Sequence, residues 1–234
     1  MSSGIRRVVV VVPARDEAST VDACLASIAA AAEALARARP EIEIATVVAA
    51  DACTDATASL ARAAGAQVVE LDAAAVGVAR QAAVDRGATG SAASSTWIAS
   101  TDADSTVPRS WLLDHVAAAD AGAELLVGGV EPEPDHLPAP ALAAWHAAHA
   151  SLPVGASVHG ANLGVRADAL GRVGGFPPVP VHEDVELVAR LRAAGAVEDR
   201  VARARVRTSG RTRSRVGGGF ASYLAALPGA VERI

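Results

Sequence analysis

Asp102 and Asp104 flank one alanine in the run Trp97-Ile98-Ala99-Ser100-Thr101-Asp102-Ala103-Asp104, where a short apolar stretch ends in two carboxylates. Side chains two apart on an extended chain point to one side, so a strand ending here delivers both carboxylates to one edge of a sheet. Two hard oxygen donors in that arrangement suit a divalent cation that also holds phosphate oxygens. The plainer reading is a loop whose aspartates cap the helix that Pro108 opens.

Other chemistry-bearing residues stand before and after this pair. Asp51 closes the apolar run Ile42–Ala50, and a carboxylate there can accept from a nucleobase N–H or a ribose hydroxyl, or simply form a turn. Thr54 and Asp55 read as caps of the next helix. Arg80 sits near a helix start, where it can bind phosphate, stack on a base or remain an exposed helix residue. Gly160-Ala161-Asn162 lets backbone approach a ligand closely, with Asn162 offering both donor and acceptor, or marks a bend in a sheet. His182-Glu183-Asp184 opens a helix whose dipole favours acids, and a carboxylate there can also act as a general base toward a hydroxyl. Seven arginines crowd positions 200–215 with no acid between Asp199 and Glu232. Arg211 and Arg213, beside Ser209-Gly210, are the best placed to clamp an anion.

Elements that position these residues follow from hydrophobic patterning. Val8–Val12 reads as a buried strand, followed by the loop Pro13–Glu17 and a helix from Ser19 or Thr20 to Arg39. Ile42–Ala50, Ala66–Leu71, Thr96–Ser100 and Glu124–Val130 read as further strands. Thr57–Ala64, Val76–Arg86 (closed by Gly87), Arg109–Asp120 and Ala141–Ala150 read as helices. Beyond them, Val158–Arg166 is a loop and strand, Val185–Ala194 a helix, Val201–Val206 a strand and Phe220–Leu227 a last helix. The β/α alternation predicts an α/β fold with a mostly parallel central sheet flanked by helices. Ligands of such sheets bind at the carboxyl ends of the strands, where Pro13–Glu17, Asp51–Asp55 and Asp102–Asp104 converge.

The chain of 234 residues is 51% hydrophobic, with 3% aromatic residues and a net charge of −5. All its cationic side chains are arginine. A mildly acidic balance argues against a general nucleic-acid binder. Cys24 and Cys53 fit no metal or redox spacing. No apolar run reaches the roughly 20 residues a membrane helix needs, and the first is too short for a signal peptide, so a cytoplasmic protein is expected.

In this order the motifs resemble the family 2 glycosyltransferases, which have the GT-A nucleotide-diphospho-sugar transferase fold. Val10–Glu17 resembles the first strand and loop of that family, implying Pro13, Ala14, Arg15 and Glu17 as nucleotide contacts. Ala49–Thr57 is similar to its second-strand motif, with Ala50 where one of two acids usually stands, and implies Asp51 as a base contact. Gly77–Gln81 resembles its Ala-Arg-Asn segment and implies a nucleotide role for Arg80. Asp102-Ala103-Asp104 resembles its Asp-x-Asp motif, implying Asp104 as the principal metal ligand and Asp102 as a second ligand or ribose contact. Gly160–Arg166 with Val173–Phe176 is similar to its acceptor segment, implying Gly160, Ala161 and Asn162 there. Glu183-Asp184 matches its Glu-Asp motif, in which the aspartate is the usual base. Arg211 and Arg213 would assist the leaving group.

The resemblance implies one domain, with a nucleotide-binding half over about residues 5–130 and an acceptor half over about 131–227. It implies a Mn²⁺ or Mg²⁺ ion, a UDP-sugar or GDP-sugar donor, transfer with inversion, and a small-molecule or lipid-linked acceptor. A homodimer is compatible with it. Two other readings remain at this stage. One is a nucleotide-sugar-binding module without catalysis, motivated by Ala50. The other is a nucleotidyltransferase, disfavoured because Pro13–Glu17 is not a Gly-rich basic phosphate loop.

Overall fold

The computed structural model describes residues 4–150, 152, 156–199, 205–212 and 219–228. Along the chain run β1 (Arg7–Ala14), α1 (Val21–Ala38), β2 (Glu43–Asp51), α2 (Thr57–Ala63), β3 (Gln67–Leu71), α3 (Val76–Ala88) and β4 (Thr96–Ser100). There follow β5 (Ser105–Thr106), α4 (Trp111–Asp120), β6 (Leu125–Val127), β7 (Val130–Pro132) and α5 (Ala139–His149). The last part holds β8 (Leu163–Arg166), α6 (Ala167–Arg172), α7 (Glu183–Ala193), β9 (Glu198–Asp199), β10 (Val206–Thr208) and α8 (Gly219–Ala225).

Seven strands form the central sheet in the order β3-β2-β1-β4-β8-β6-β9. β1 pairs in parallel with β2 and β4, while β8 runs antiparallel to both of its neighbours. The sheet is thus mostly parallel, as the β/α alternation requires. β1 is buried on both faces, and its valines divide by parity. Val8, Val10 and Val12 join the core beneath α1 and α4 with Ile28, Leu35, Trp97 and Leu112. Val9 and Val11 join the opposite core beneath α3 and α7 with Ala83, Ile98, Leu187 and Leu191. Each fully buried valine contributes roughly 1.5–3 kcal/mol, so β1 anchors both layers.

Two sequence expectations need correction. Gly87 does not close α3, which continues to Ala88; a Cβ at Gly87 would lie 2.2 Å from Val9 Cγ1, so the glycine serves close helix-to-sheet approach. Glu124–Val130 is not one strand: Gly128-Gly129 breaks it into β6, in the central sheet, and β7, in a second sheet ordered β5-β10-β7. The strand read at Thr96–Ser100 is β4 with those bounds, and Asp102 and Asp104 follow it. β4 ends at Ser100, and Ser105 N–H donates to Asp102 O at 3.0 Å, turning the chain. Of the strand expected at Val201–Val206, only Arg205 and Val206 lie within the described residues, and Val206 is the first residue of β10.

A polar plug lies within this core. Trp97 Nε1 donates to His115 Nδ1 at 3.0 Å, and Trp111 Nε1 donates to Asn162 Oδ1 at 2.9 Å. Burial lowers the His115 pKa from 6.5 to about 4. The unfolded chain therefore binds an extra proton between these values, and the stabilisation present above about pH 6.5 is lost as pH falls toward 4. The loss should reach about 3 kcal/mol. Denaturant titrations across that range should show this slope in the wild type. The slope should flatten in His115→Gln, whose amide oxygen keeps an acceptor for Trp97; an equal slope in both proteins would assign it to other groups.

Candidate active site

A cavity of about 600 Å³ opens at the carboxyl ends of β1, β2 and β4. It is lined by Pro13, Ala14, Arg15 and Glu17 after β1, by Asp51 at the end of β2, and by Asp102, Ala103 and Asp104 after β4. Arg80, Gly160, Ala161, Glu183, Asp184 and Arg211 also line it. Residues far apart in sequence therefore meet at one sheet edge. Four described non-glycine residues have positive φ: Asp16 (52°), Ala52 (51°), Ala74 (50°) and His182 (63°). All four lie in loops that border this edge, where backbone strain of about 1–3 kcal/mol per residue is commonly retained for function.

Asp51 is buried, and its carboxylate shapes the loop before α3. Oδ1 accepts from the Ala73 and Ala74 N–H groups at 2.8 and 3.0 Å, and Oδ2 accepts from Ala75 N–H at 2.9 Å. An ionised carboxylate has about four acceptor sites, so one remains for a ligand donor.

Arg80 was expected at the nucleotide; the residue is 2% exposed, and its guanidinium is committed to protein groups. Nε donates to Glu183 Oε1 at 2.9 Å, and Nη2 donates to Asp102 Oδ1 at 2.6 Å. Nη1 donates to Ser100 Oγ and, at 3.3 Å, to Gly160 O. Burial opposes its charge, but Asp102, Glu183 and Asp184 outweigh that cost and push its pKa up. Arg80 thus ties α3, β4 and the start of α7 together. Glu183 is correspondingly buried against Arg80, with its carboxylate turned to that guanidinium. A Cβ at Gly160 would stand 2.3 Å from Arg80 Nη2, so glycine is needed for the backbone to pass over the guanidinium.

Asp104 faces a different cation. Its Oδ2 lies 3.1 Å from Arg211 Nη2, and Arg211 Nη1 lies 2.8 Å from Glu17 Oε1. Thr208 Oγ1 is 3.3 Å from Asp104 Oδ1, Ser209 N–H donates to Asp104 O at 3.1 Å, and Ser105 Oγ donates to Thr208 Oγ1 at 2.8 Å. The small second sheet therefore clasps the Asp-Ala-Asp turn against the segment that carries Arg211. Burial, opposed by Arg211 and reinforced by Asp102 and Glu17, raises the Asp104 pKa above the usual carboxylate range. The acids around Asp104 thus favour a cation, and their oxygen-only donor set suits Mg²⁺ or Mn²⁺.

Asp184 Oδ2 accepts the Gly160 N–H at 2.6 Å, and Oδ1 accepts the Val185 N–H at 2.8 Å. Its side chain borders the cavity, and among the described residues its hydrogen-bond partners are backbone N–H groups. Gly160 and Ala161 line the cavity as well, but Asn162 does not. Its amide is buried, accepts from Trp111 and donates to Gly129 O at 2.8 Å, so Asn162 anchors the turn from the core side instead of offering polar atoms to a ligand. Arg213 lies outside the described residues. A further group, Asp16, Cys53 and Asp55, brings ligand atoms within 4.8 Å, but none of the three lines the cavity. Sequence reasoning missed Ser100, Thr208, His159, Phe220 and Tyr223. Ser100 carried a signal, as the last polar residue of an apolar strand; the others stand on elements whose packing patterning does not reveal.

The model of glycosyl transferase family 2 matches residues 9–144. No curated protein matched the chain. Among solved structures, S. aureus TarS 1–349 superposes with a TM-score of 0.62 at 13% identity, covering 88% of this chain and 61% of that one. The mannosyltransferase PcManGT from Pyrobaculum calidifontis, in complex with GDP-Man and Mn²⁺, gives 0.65 at 22% identity, covering 91% and 59%. Glucosyl-3-phosphoglycerate synthase from Mycobacterium tuberculosis, in complex with Mg²⁺ and uridine diphosphate, gives 0.55 at 19% identity, covering 87% and 70%. The chain spans about 61% and 59% of the length of the first two. Among the described residues, no helix is long and apolar enough to cross a membrane. With the family model covering more than half of its length and the GT-A architecture in place around the cavity, the chain belongs to glycosyl transferase family 2.

Proposed function

We propose that this chain transfers a sugar from a nucleoside diphosphate to an acceptor hydroxyl, with inversion. The observation that carries the reading is the convergence of Asp51, the Asp102–Asp104 turn and Asp184 on one cavity. Asp104 and the second carboxylate oxygen of Asp102 would hold a divalent cation, with Glu17 and Arg211 beside it. That cation, when bound, supplies Lewis-acid neutralisation of charge on the leaving diphosphate.

The remaining roles belong to the chain itself. Arg80 fixes Asp102 through its other oxygen. Asp51 and the loop it shapes receive the nucleoside. The exposed edge of the Asp184 carboxylate takes the proton of the acceptor hydroxyl. The acceptor oxygen forms its bond to the anomeric carbon as the bond to the diphosphate oxygen breaks, and that electron pair leaves with the nucleoside diphosphate. Arg211, which pairs with Asp104 and Glu17 at the mouth of this site, would lie beside the departing phosphate and could pair with it. A UDP-sugar or GDP-sugar is the donor class; GDP-Man and UDP occupy the solved relatives named above.

Calorimetric titration of UDP and GDP with and without Mn²⁺ tests this reading. Metal-dependent binding of one nucleotide is expected, with at least a roughly ten-fold loss in Asp104→Ala, since a charge-assisted contact is worth about 1.5–3 kcal/mol. Binding indifferent both to chelator and to Asp104→Ala would overturn it.

A further inference from the structure

The aromatic residues of this chain are few, and their placement is uneven. The sequence holds three Trp, two Phe and one Tyr. Trp97, Trp111 and Phe176 lie in the cores beneath the central sheet. The other three, Trp145, Phe220 and Tyr223, gather where α5 meets α8, and two of them face the cavity.

Histidines extend this group. His149 stacks on Trp145 with ring centres 4.4 Å apart and planes 19° from parallel. Tyr223 meets His149 edge-on at 5.9 Å and stacks on Phe220 at 6.4 Å, and His159 meets Phe220 edge-on at 5.5 Å. His149, His159, Phe220 and Tyr223 all line the cavity, as do Pro180 and Val181 of the loop before Asp184. The large apolar side chains left exposed among the described residues are Leu152, Val185, Val197 and Tyr223, and all but Val197 line this same cavity. A monomer's exposed apolar surface is seldom so concentrated unless it meets a ligand.

Among the described residues, charge at this end is scarce. Among the described lining residues the arginines are Arg15, Arg80 and Arg211. Arg80 and Arg211 are paired with carboxylates, and Arg15 belongs to the loop after β1 on the nucleotide side. Burial pushes the His159 pKa down, which keeps that ring neutral. A phosphorylated or carboxylated acceptor would meet apolar rings here and the carboxylate of Asp184.

Resting on the glycosyltransferase reading, we infer that the acceptor is an uncharged hydroxyl compound on a flat apolar ring skeleton, received by Phe220, Tyr223 and His149 beside Asp184. The rings supply area and quadrupolar faces at little conformational cost, and the hydroxyl projects toward the base.

Saturation-transfer NMR with 2-naphthol as probe tests this, with 3-phosphoglycerate as the anionic comparator and saturating UDP or GDP with Mg²⁺ in every sample. Saturation of the naphthol ring protons is expected, with none for 3-phosphoglycerate. Tyr223→Ser, at an exposed position, and Phe220→Leu, which keeps an apolar side chain, should each weaken naphthol binding roughly ten-fold. Both should leave nucleotide binding unchanged. Preferential binding of 3-phosphoglycerate, or naphthol binding untouched in both variants, would overturn the inference. Failure of the wild type to bind any nucleotide would instead strike the glycosyltransferase reading itself.

Discussion

Arg80→Ala should destabilise the protein by about 3–5 kcal/mol and abolish transfer. The guanidinium bridges Glu183, Ser100, Gly160 and Asp102, and Glu183 is almost fully buried beside it. Removing one member of a buried ion pair leaves the other without compensation, and that mechanism gives the magnitude. For a chain of this size each kcal/mol moves Tm by about 2–4 °C, so a fall on the order of 10 °C is expected in calorimetry. Arg80→Lys keeps the charge but cannot fork between Asp102 and Glu183; it should fold and still lose most activity. Replacing both buried partners, as Arg80→Met with Glu183→Leu, should restore much of the Tm without restoring transfer, because Asp102 stays unheld. A Tm for Arg80→Ala within 2 °C of wild type would remove Arg80 from this keystone role.

Asp184→Asn should lower kcat by about 10²–10⁴-fold, the span of general-base contributions. The amide is nearly isosteric and retains one oxygen for the Gly160 or Val185 N–H, so the fold and the nucleotide site should persist. Affinity for the nucleoside diphosphate should therefore stay within about three-fold, a difference below 1 kcal/mol. Glu183→Gln offers the contrast. Glu183 acts through Arg80, so that variant should lose stability as well as rate. Wild-type kcat in Asp184→Asn would require another residue to accept the proton.

How far the sequence could be read depended on whether an effect was local. The valines of β1 announced a two-sided strand because all five are apolar, and their parity alone assigns them to two cores. The convergence of Pro13–Glu17, Asp51 and Asp102–Asp104 followed from the general rule for open parallel sheets, and the cavity lies at that edge. The division of labour within Asp102-Ala103-Asp104 was not legible. Spacing treats the two carboxylates as equals on one side of a strand, whereas the turn after Ser100 gives Asp102 to Arg80 and Asp104 to Arg211. Those partners stand 22 residues before Asp102 and about a hundred residues after Asp104, and no local pattern encodes such pairings. Asn162 misled for a related reason. A polar residue between glycines reads equally as a ligand contact or a core anchor, and the deciding neighbour, Trp111, lies on a distant helix.

The small sheet that clasps the Asp-Ala-Asp turn has a consequence for the order in which the molecule is made. Contacts of Thr208 with Ser105 and Asp104 span 103 and 104 positions, and that of Arg211 with Glu17 spans 194. The loops bearing the acids emerge from the ribosome long before the arginine that neutralises them. At about 5–20 residues per second, the nascent chain carries an uncompensated acidic edge for roughly 5–20 s. Closure of the acidic edge is therefore expected late in folding, because its partners are separated by a hundred residues or more and have a large loop entropy to overcome.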